Sequence, residues 1–171
     1  GDLSYQWLRD GFDIDGATAS TYTLKQDDVG AQISARVSYT DGGSASEVVE
    51  SSPSSAVTNV NDDPTGSVTI SGTASQGSEL TAVTTTLADE DGLGDLSYQW
   101  LRDGSDISGA KSSTYTLTQD DVGATISVSV SYTDDGGAAE EMISEATTSI
   151  TPPPAFDIII TSAANDVVTF A

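Results

Sequence analysis

Nine side chains with oxygen donors stand in short clusters: Asp27 and Asp28, then Asn61, Asp62 and Asp63, then Asp89 and Asp91, then Asp134 and Asp135. Carboxylates and carboxamides on flexible loops suit a hard cation. Calcium takes about six to eight oxygen ligands in irregular geometry, whereas magnesium demands a near-ideal octahedron. The 171 residues include no His and no Cys, which argues against zinc and copper. The same absence removes thiol chemistry and any Ser-His-Asp set. The stretch Asp89-Glu90-Asp91-Gly92 is not a helix–loop–helix calcium motif, because the acidic residue expected at that motif's end is missing. Each Asp taken singly also reads as a solvated turn residue, since Asp and Asn bond locally to the main chain in turns. The expected site is therefore a set of acidic loops that must converge.

The elements that would position those loops follow from a repeat. GDLSYQWLRDG begins at Gly1 and again at Gly94, 93 residues on. The copies stay in step through STYTL at Ser20 and Ser113, QDDVGA at Gln26 and Gln119, and VSYTD at Val37 and Val130. A self-match at the spacing of a small domain indicates tandem folding units. Within each copy, apolar and polar residues alternate as in half-buried strands. Leu3, Tyr5 and Trp7 share one face, and Ile33, Ala35, Val37 and Tyr39 another. Thr21–Leu24 reads as a strand between them, and Asp41-Gly42-Gly43 as a hairpin turn. Ser46–Val49 and Ala56–Val60 read as the last strands of the first copy. The second copy is preceded by two more, Ser67–Ser71 and Glu79–Leu87. It closes with Met142–Ile150. The spacing gives a first domain over 1–60, an acidic linker over 61–64, a second domain over 65–151, and a proline spacer with a two-strand tail over 152–171.

Composition narrows the partners. Against 27 acidic side chains stand 5 basic ones, for a net charge of −22. Nucleic acid and anionic membrane both require a basic footprint, and no apolar run approaches the ~20 residues of a membrane span. Tyr5, Trp7, Tyr98 and Trp100 read as core by their alternate spacing. Arg9 and Arg102 are expected to pair with nearby acidic groups, Asp28 and Asp121.

The succession Tyr98-Gln99-Trp100, Asp103-Gly104, Tyr115 and Asp121-Val122-Gly123 resembles an immunoglobulin-type sandwich in which aliphatic residues replace the disulfide. The repeat, with Asn59-Val60-Asn61-Asp62-Asp63-Pro64 and Leu87-Ala88-Asp89-Glu90-Asp91-Gly92, also resembles tandem domains of giant bacterial surface adhesins of the repeats-in-toxin type. The linker and acidic loop are similar to those of cadherins. The resemblance implies an all-β fold of tandem immunoglobulin-like Greek-key sandwiches without disulfides, on the bacterial cell surface. It also implies a spacer role, with calcium between domains and neighbouring repeats or further copies of the chain as partners. No catalytic residue is expected, because two thin sandwiches offer little cleft even for a carboxylate pair.

In such a topology the linker leaves the first domain beside its Asp27-Asp28 corner. It enters the second beside the loops of Asp89–Asp91 and Asp134-Asp135. The nine residues should then meet at one junction, where so many carboxylates need a counter-charge. By the repeat, the first copy lacks counterparts of Pro64–Leu93, which carry two strands. Two expectations follow. Either the chain is a fragment, or the apolar tail segments Phe156–Ile160 and Val167–Phe170 supply the missing pair to another copy in a head-to-tail filament.

Overall fold

The computed structural model describes residues 2–154, and the fold is all-β apart from two 3-10 turns. The tail segments Phe156–Ile160 and Val167–Phe170 lie outside the described residues. Eleven strands form three antiparallel sheets among the described residues. In the first repeat these are β1 (Ser4–Arg9), β2 (Phe12–Asp13), β3 (Ile33–Thr40) and β4 (Ser46–Glu50), in the order β2-β1-β3-β4. Next come β5 (Thr69–Gly72) and β6 (Glu79–Val83). The second repeat supplies β7 (Ser97–Arg102), β8 (Ser105–Asp106), β9 (Thr114–Thr116), β10 (Ile126–Thr133) and β11 (Ala139–Ile143). One of their sheets runs β11-β10-β7-β8 and the other β5-β6-β9.

By Cα proximity the chain divides into two compact units whose segments interleave. The first comprises Gly1–Ser67, Thr86–Leu96 and Ser131–Met142; the second comprises Val68–Thr85, Ser97–Val130 and the chain from Ile143. The acidic loops that precede β7 and follow β10 thus belong to the first unit.

The second unit has the β-sandwich character expected of its pattern. Trp100 on β7 and Tyr115 on β9 belong to different sheets and stack with ring centroids 5.8 Å apart. Around them Val68, Leu80, Leu117, Ile126, Val128, Val130 and Ile150 are buried. The Trp100 indole N–H, which burial would otherwise strand, donates to the Ser112 carbonyl at 2.9 Å. β6 is the strand that closes this unit: Leu80 pairs with Tyr115, and Glu79 with Thr116.

The first repeat repeats these local contacts without β6. Trp7 stacks on Tyr22 at the same 5.8 Å, and its indole donates to Ala19 at 3.0 Å. Yet Thr21–Leu24 forms no strand. Its sequence is that of the β9 region, so propensity does not explain the difference. A strand exists by pairing, and the described residues offer this segment no counterpart of β6. Ala56–Val60 likewise narrows to one parallel bridge, Val29 with Val57, the exact repeat of Val122 with Ile150.

Both Asp-Val-Gly corners are tight 3-10 turns, Gln26–Asp28 and Gln119–Asp121. Each final Asp turns back and accepts the backbone N–H that opens its turn, Lys25 to Asp28 at 2.8 Å and Thr118 to Asp121 at 2.6 Å.

Candidate metal site

The structure brings three of the nine expected residues together. One carboxylate oxygen from each of Asp89, Asp91 and Asp134 lies within 4.8 Å of the other two, and the three could hold a metal ion. All three belong to the first unit. Asp89 and Asp91 sit in the tight turn before Gly92, where the Asp91 N–H donates to Asp89 Oδ1 at 2.8 Å. Gly92 has φ +96°, and a Cβ there would stand 2.5 Å from Asp135 Oδ2. Glycine therefore lets the turn and the Asp135 side chain approach. Asp134 follows β10 directly, and its Oδ1 accepts the Ala138 N–H at 2.8 Å across the hairpin turn.

Each carboxylate is anchored differently. Asp91 accepts the Asp62 backbone N–H at 2.8 Å on Oδ2 and the Gln26 amide at 2.6 Å on Oδ1. The Asp62 N–H holds the Asp91 carboxyl below the usual carboxylate range; burial opposes this, and the Asn59 and Gln26 amides reinforce it. Asp89 Oδ2 accepts the Tyr132 hydroxyl at 2.6 Å. Burial first, and then the negative Asp89, push the Tyr132 phenol up, so it stays a donor. Asp134 is 5% exposed, and its Oδ2 is buried with no hydrogen-bond partner. The Asn59 Oδ1 is in the same condition. A buried, unmatched carboxylate oxygen costs free energy unless a cation or a donor meets it.

The other expected residues are placed elsewhere or contribute otherwise. Asp27 is exposed. Asp28 is fully buried, with its oxygens engaged by Arg9, Tyr22 and the Lys25 N–H. Asp62 reaches the cluster through its main chain, and its exposed neighbour Asn61 donates to Glu140 at 2.8 Å. Asp63 and Asp135 are exposed, although the Asp135 N–H donates to the Asp91 carbonyl at 3.2 Å.

Three further residues shape the site: Gln26, Asn59 and Tyr132. A lone amide has no spacing signature, and Gln119, the repeat counterpart of Gln26, carries the same motif. Tyr132 reads in sequence only as a core position of β10.

Compared with known protein families and with curated proteins, the chain finds no match in either. Among the described residues no helix is long and apolar enough to cross a membrane.

Proposed function

We propose that this chain is a non-enzymatic spacer region of an extracellular bacterial adhesin-type protein, built of immunoglobulin-like Greek-key repeats and stiffened by calcium at Asp89, Asp91 and Asp134. The observation that carries the reading is Asp134: its Oδ2 is buried without a hydrogen-bond partner, and one of its carboxylate oxygens lies within 4.8 Å of an oxygen of both Asp89 and Asp91. Three carboxylates at that spacing repel one another, and a divalent ion reverses the sign of the interaction. The Asn59 side chain also reaches Asp91, and its Oδ1 is a buried, unmatched neutral oxygen of the kind calcium accepts. Such an ion would join the turn before β7, the turn after β10 and the segment around Asn59 and Asp62, all within the first unit. Two copies of one motif at a fixed offset support spacing, since a spacer gains from equivalent repeats while a recognition site does not. The charge of −22 fits a surface kept soluble and dependent on cations.

The test is a thermal melt in excess calcium, in excess magnesium and in EDTA. Calcium at a hundredfold excess over its dissociation constant stabilises the folded form by ~2.7 kcal/mol, a shift on the order of ten degrees for domains of this size. Magnesium should give much less. Equal melting in calcium and EDTA would remove the ion from the reading and return the acidic residues to the role of turn formers.

A further inference from the structure

The two repeats share one scaffold and differ at its rim. From Gly1 to Asp27 and from Gly94 to Asp120 the sequences depart from each other at five positions. Three of the five stand together in space. Phe12, Asp15 and Lys25 line one hollow of about 540 Å³ in the first unit, and the second repeat has Ser105, Ser108 and Thr118 in their places. The other lining residues, Arg9, Asp10, Asp13, Ile14, Tyr22 and Asp27, are the same in both copies. Several of these are already engaged by the fold. Arg9 is bound to Asp28, Asp13 pairs with Arg36 at 3.0 Å, and Asp10 Oδ1 accepts the Gln32 N–H at 2.9 Å. The hairpin turns also match, with φ +48° and +81° at Asp10-Gly11 and +47° and +79° at Asp103-Gly104.

The strands β5 and β6 do not decide exposure at this rim. Ser105, Ser108 and Thr118 are exposed in the repeat that has both strands, as Phe12, Asp15 and Lys25 are in the first. Phe12 is 79% exposed. The first copy thus holds an aromatic ring in water beside Asp15, Asp27 and Lys25, none of which is in an ion pair among the described residues. That combination selects a class of ligand. A simple cation would meet Lys25, and a simple anion would meet the carboxylates. A neutral pyranose avoids both conflicts. Its C–H face packs on an aromatic ring, and its hydroxyls donate to carboxylates and accept from an ammonium group. The volume fits, since small-molecule sites span about 300–1,000 Å³.

We propose that the hollow beside Phe12 is a binding site for a neutral sugar, with the sugar ring against Phe12 and its hydroxyls shared among Asp15, Asp27 and Lys25. The second repeat keeps the scaffold and lacks the site. The proposal does not depend on the ion.

The test is a titration of the full chain, in EDTA, with the methyl glycosides of glucose, galactose and mannose and with cellobiose and lactose, read from backbone amide shifts. At least one of these should saturate with a millimolar or tighter dissociation constant and move the amides of Phe12, Asp15 and Lys25. A chain carrying Phe12→Ser, Asp15→Ser and Lys25→Thr has the residues that the second repeat already accommodates, so its hairpin is retained. Its binding should weaken by about tenfold or more. The reverse exchange, Ser105→Phe with Ser108→Asp and Thr118→Lys, should add a second site. A flat response to every sugar at about 100 mM, far above a millimolar constant, would overturn the proposal. So would sugar binding that the first triple variant retains. A tetra-arginine peptide that binds where no sugar does, and that Phe12→Ser weakens, would give the hollow to a cationic partner instead.

Discussion

Arg102 holds Asp121 through two nitrogens on one oxygen: Nε and Nη2 each lie 2.7 Å from Oδ1. The second oxygen accepts the Tyr115 hydroxyl at 2.9 Å and the Thr118 hydroxyl at 2.8 Å, besides the Thr118 N–H. Arg9 and Asp28 repeat the ion pair 93 residues earlier, at 2.8 and 2.7 Å. The pair ties β7 to the corner and, through Tyr115, to β9. Asp121 is fully buried while the Arg102 side chain is 31% exposed. Removing the charge of Asp121 therefore breaks a largely desolvated network but leaves Arg102 in reach of water. Asp121→Asn should cost about 3 kcal/mol, at the lower end of what breaking buried pairs costs. Denaturant unfolding, followed by the fluorescence of Trp100, measures it.

Acid should act through the same carboxylate. Burial alone would raise the Asp121 pKa, but the Thr118 N–H, Arg102, and the Thr118 and Tyr115 hydroxyls outweigh it and hold the group below its usual value. The unfolded state then binds the proton first. The stability from Asp121 is complete above the unfolded pKa of about 3.9 and is lost as pH falls through the lower folded value. Protonating the many exposed acids has the opposite sign, because it relieves self-repulsion. The difference between the native chain and Asp121→Asn isolates the buried group. It should be constant from neutral pH down to about pH 5 and shrink below about pH 4. A difference that grows on acidification would contradict this account.

Leu117 and Leu24 share a sequence context and differ in cover. Leu117→Ala removes a fully enclosed side chain and should cost roughly 2–5 kcal/mol. Leu24→Ala trims a side chain that already meets solvent and should stay within about 1 kcal/mol. Parallel denaturation curves give both values. Similar losses would mean that Leu24 is enclosed in solution, and hence that its face is covered.

These contrasts also mark what the residues alone could convey. The repeat, the alternation of Tyr98 and Trp100, and the Arg102–Asp121 pairing are local or duplicated features, and each was legible from spacing. Thr21–Leu24 was not, because its pattern is the same as that of Thr114–Leu117; pairing with β6 makes the second a strand, and the described residues offer the first no such partner. At the candidate site, topology placed the turns of Asp89–Asp91 and Asp134 together. The identity of the amides that meet them, Gln26 and Asn59, depends on side-chain packing that leaves no period in the sequence. Asp28 stood in two expectations at once, as a metal ligand and as the partner of Arg9, and the structure gives it to Arg9.

Asp134 allows the ion reading to be tested by a gain as well as a loss. Its Oδ1 is engaged by Ala138, its Oδ2 is buried and unmatched, and one of its oxygens lies within 4.8 Å of oxygens of Asp89 and Asp91. Asparagine at this position keeps an oxygen for Ala138 and puts an N–H₂ donor where the unmatched Oδ2 stands, in a cluster with two remaining carboxylates. In EDTA, Asp134→Asn should therefore melt a few degrees above the native chain, on the order of 1 kcal/mol of relieved repulsion and added hydrogen bonding. In calcium the order should reverse, because the native chain gains the ion and the variant lacks a charged ligand for it. A variant that is destabilised in EDTA would show Asp134 to be matched by a donor within the fold. A variant that responds to calcium as the native chain does would place the ion elsewhere. Only the crossing of the two stabilities fits a carboxylate held in place for a cation.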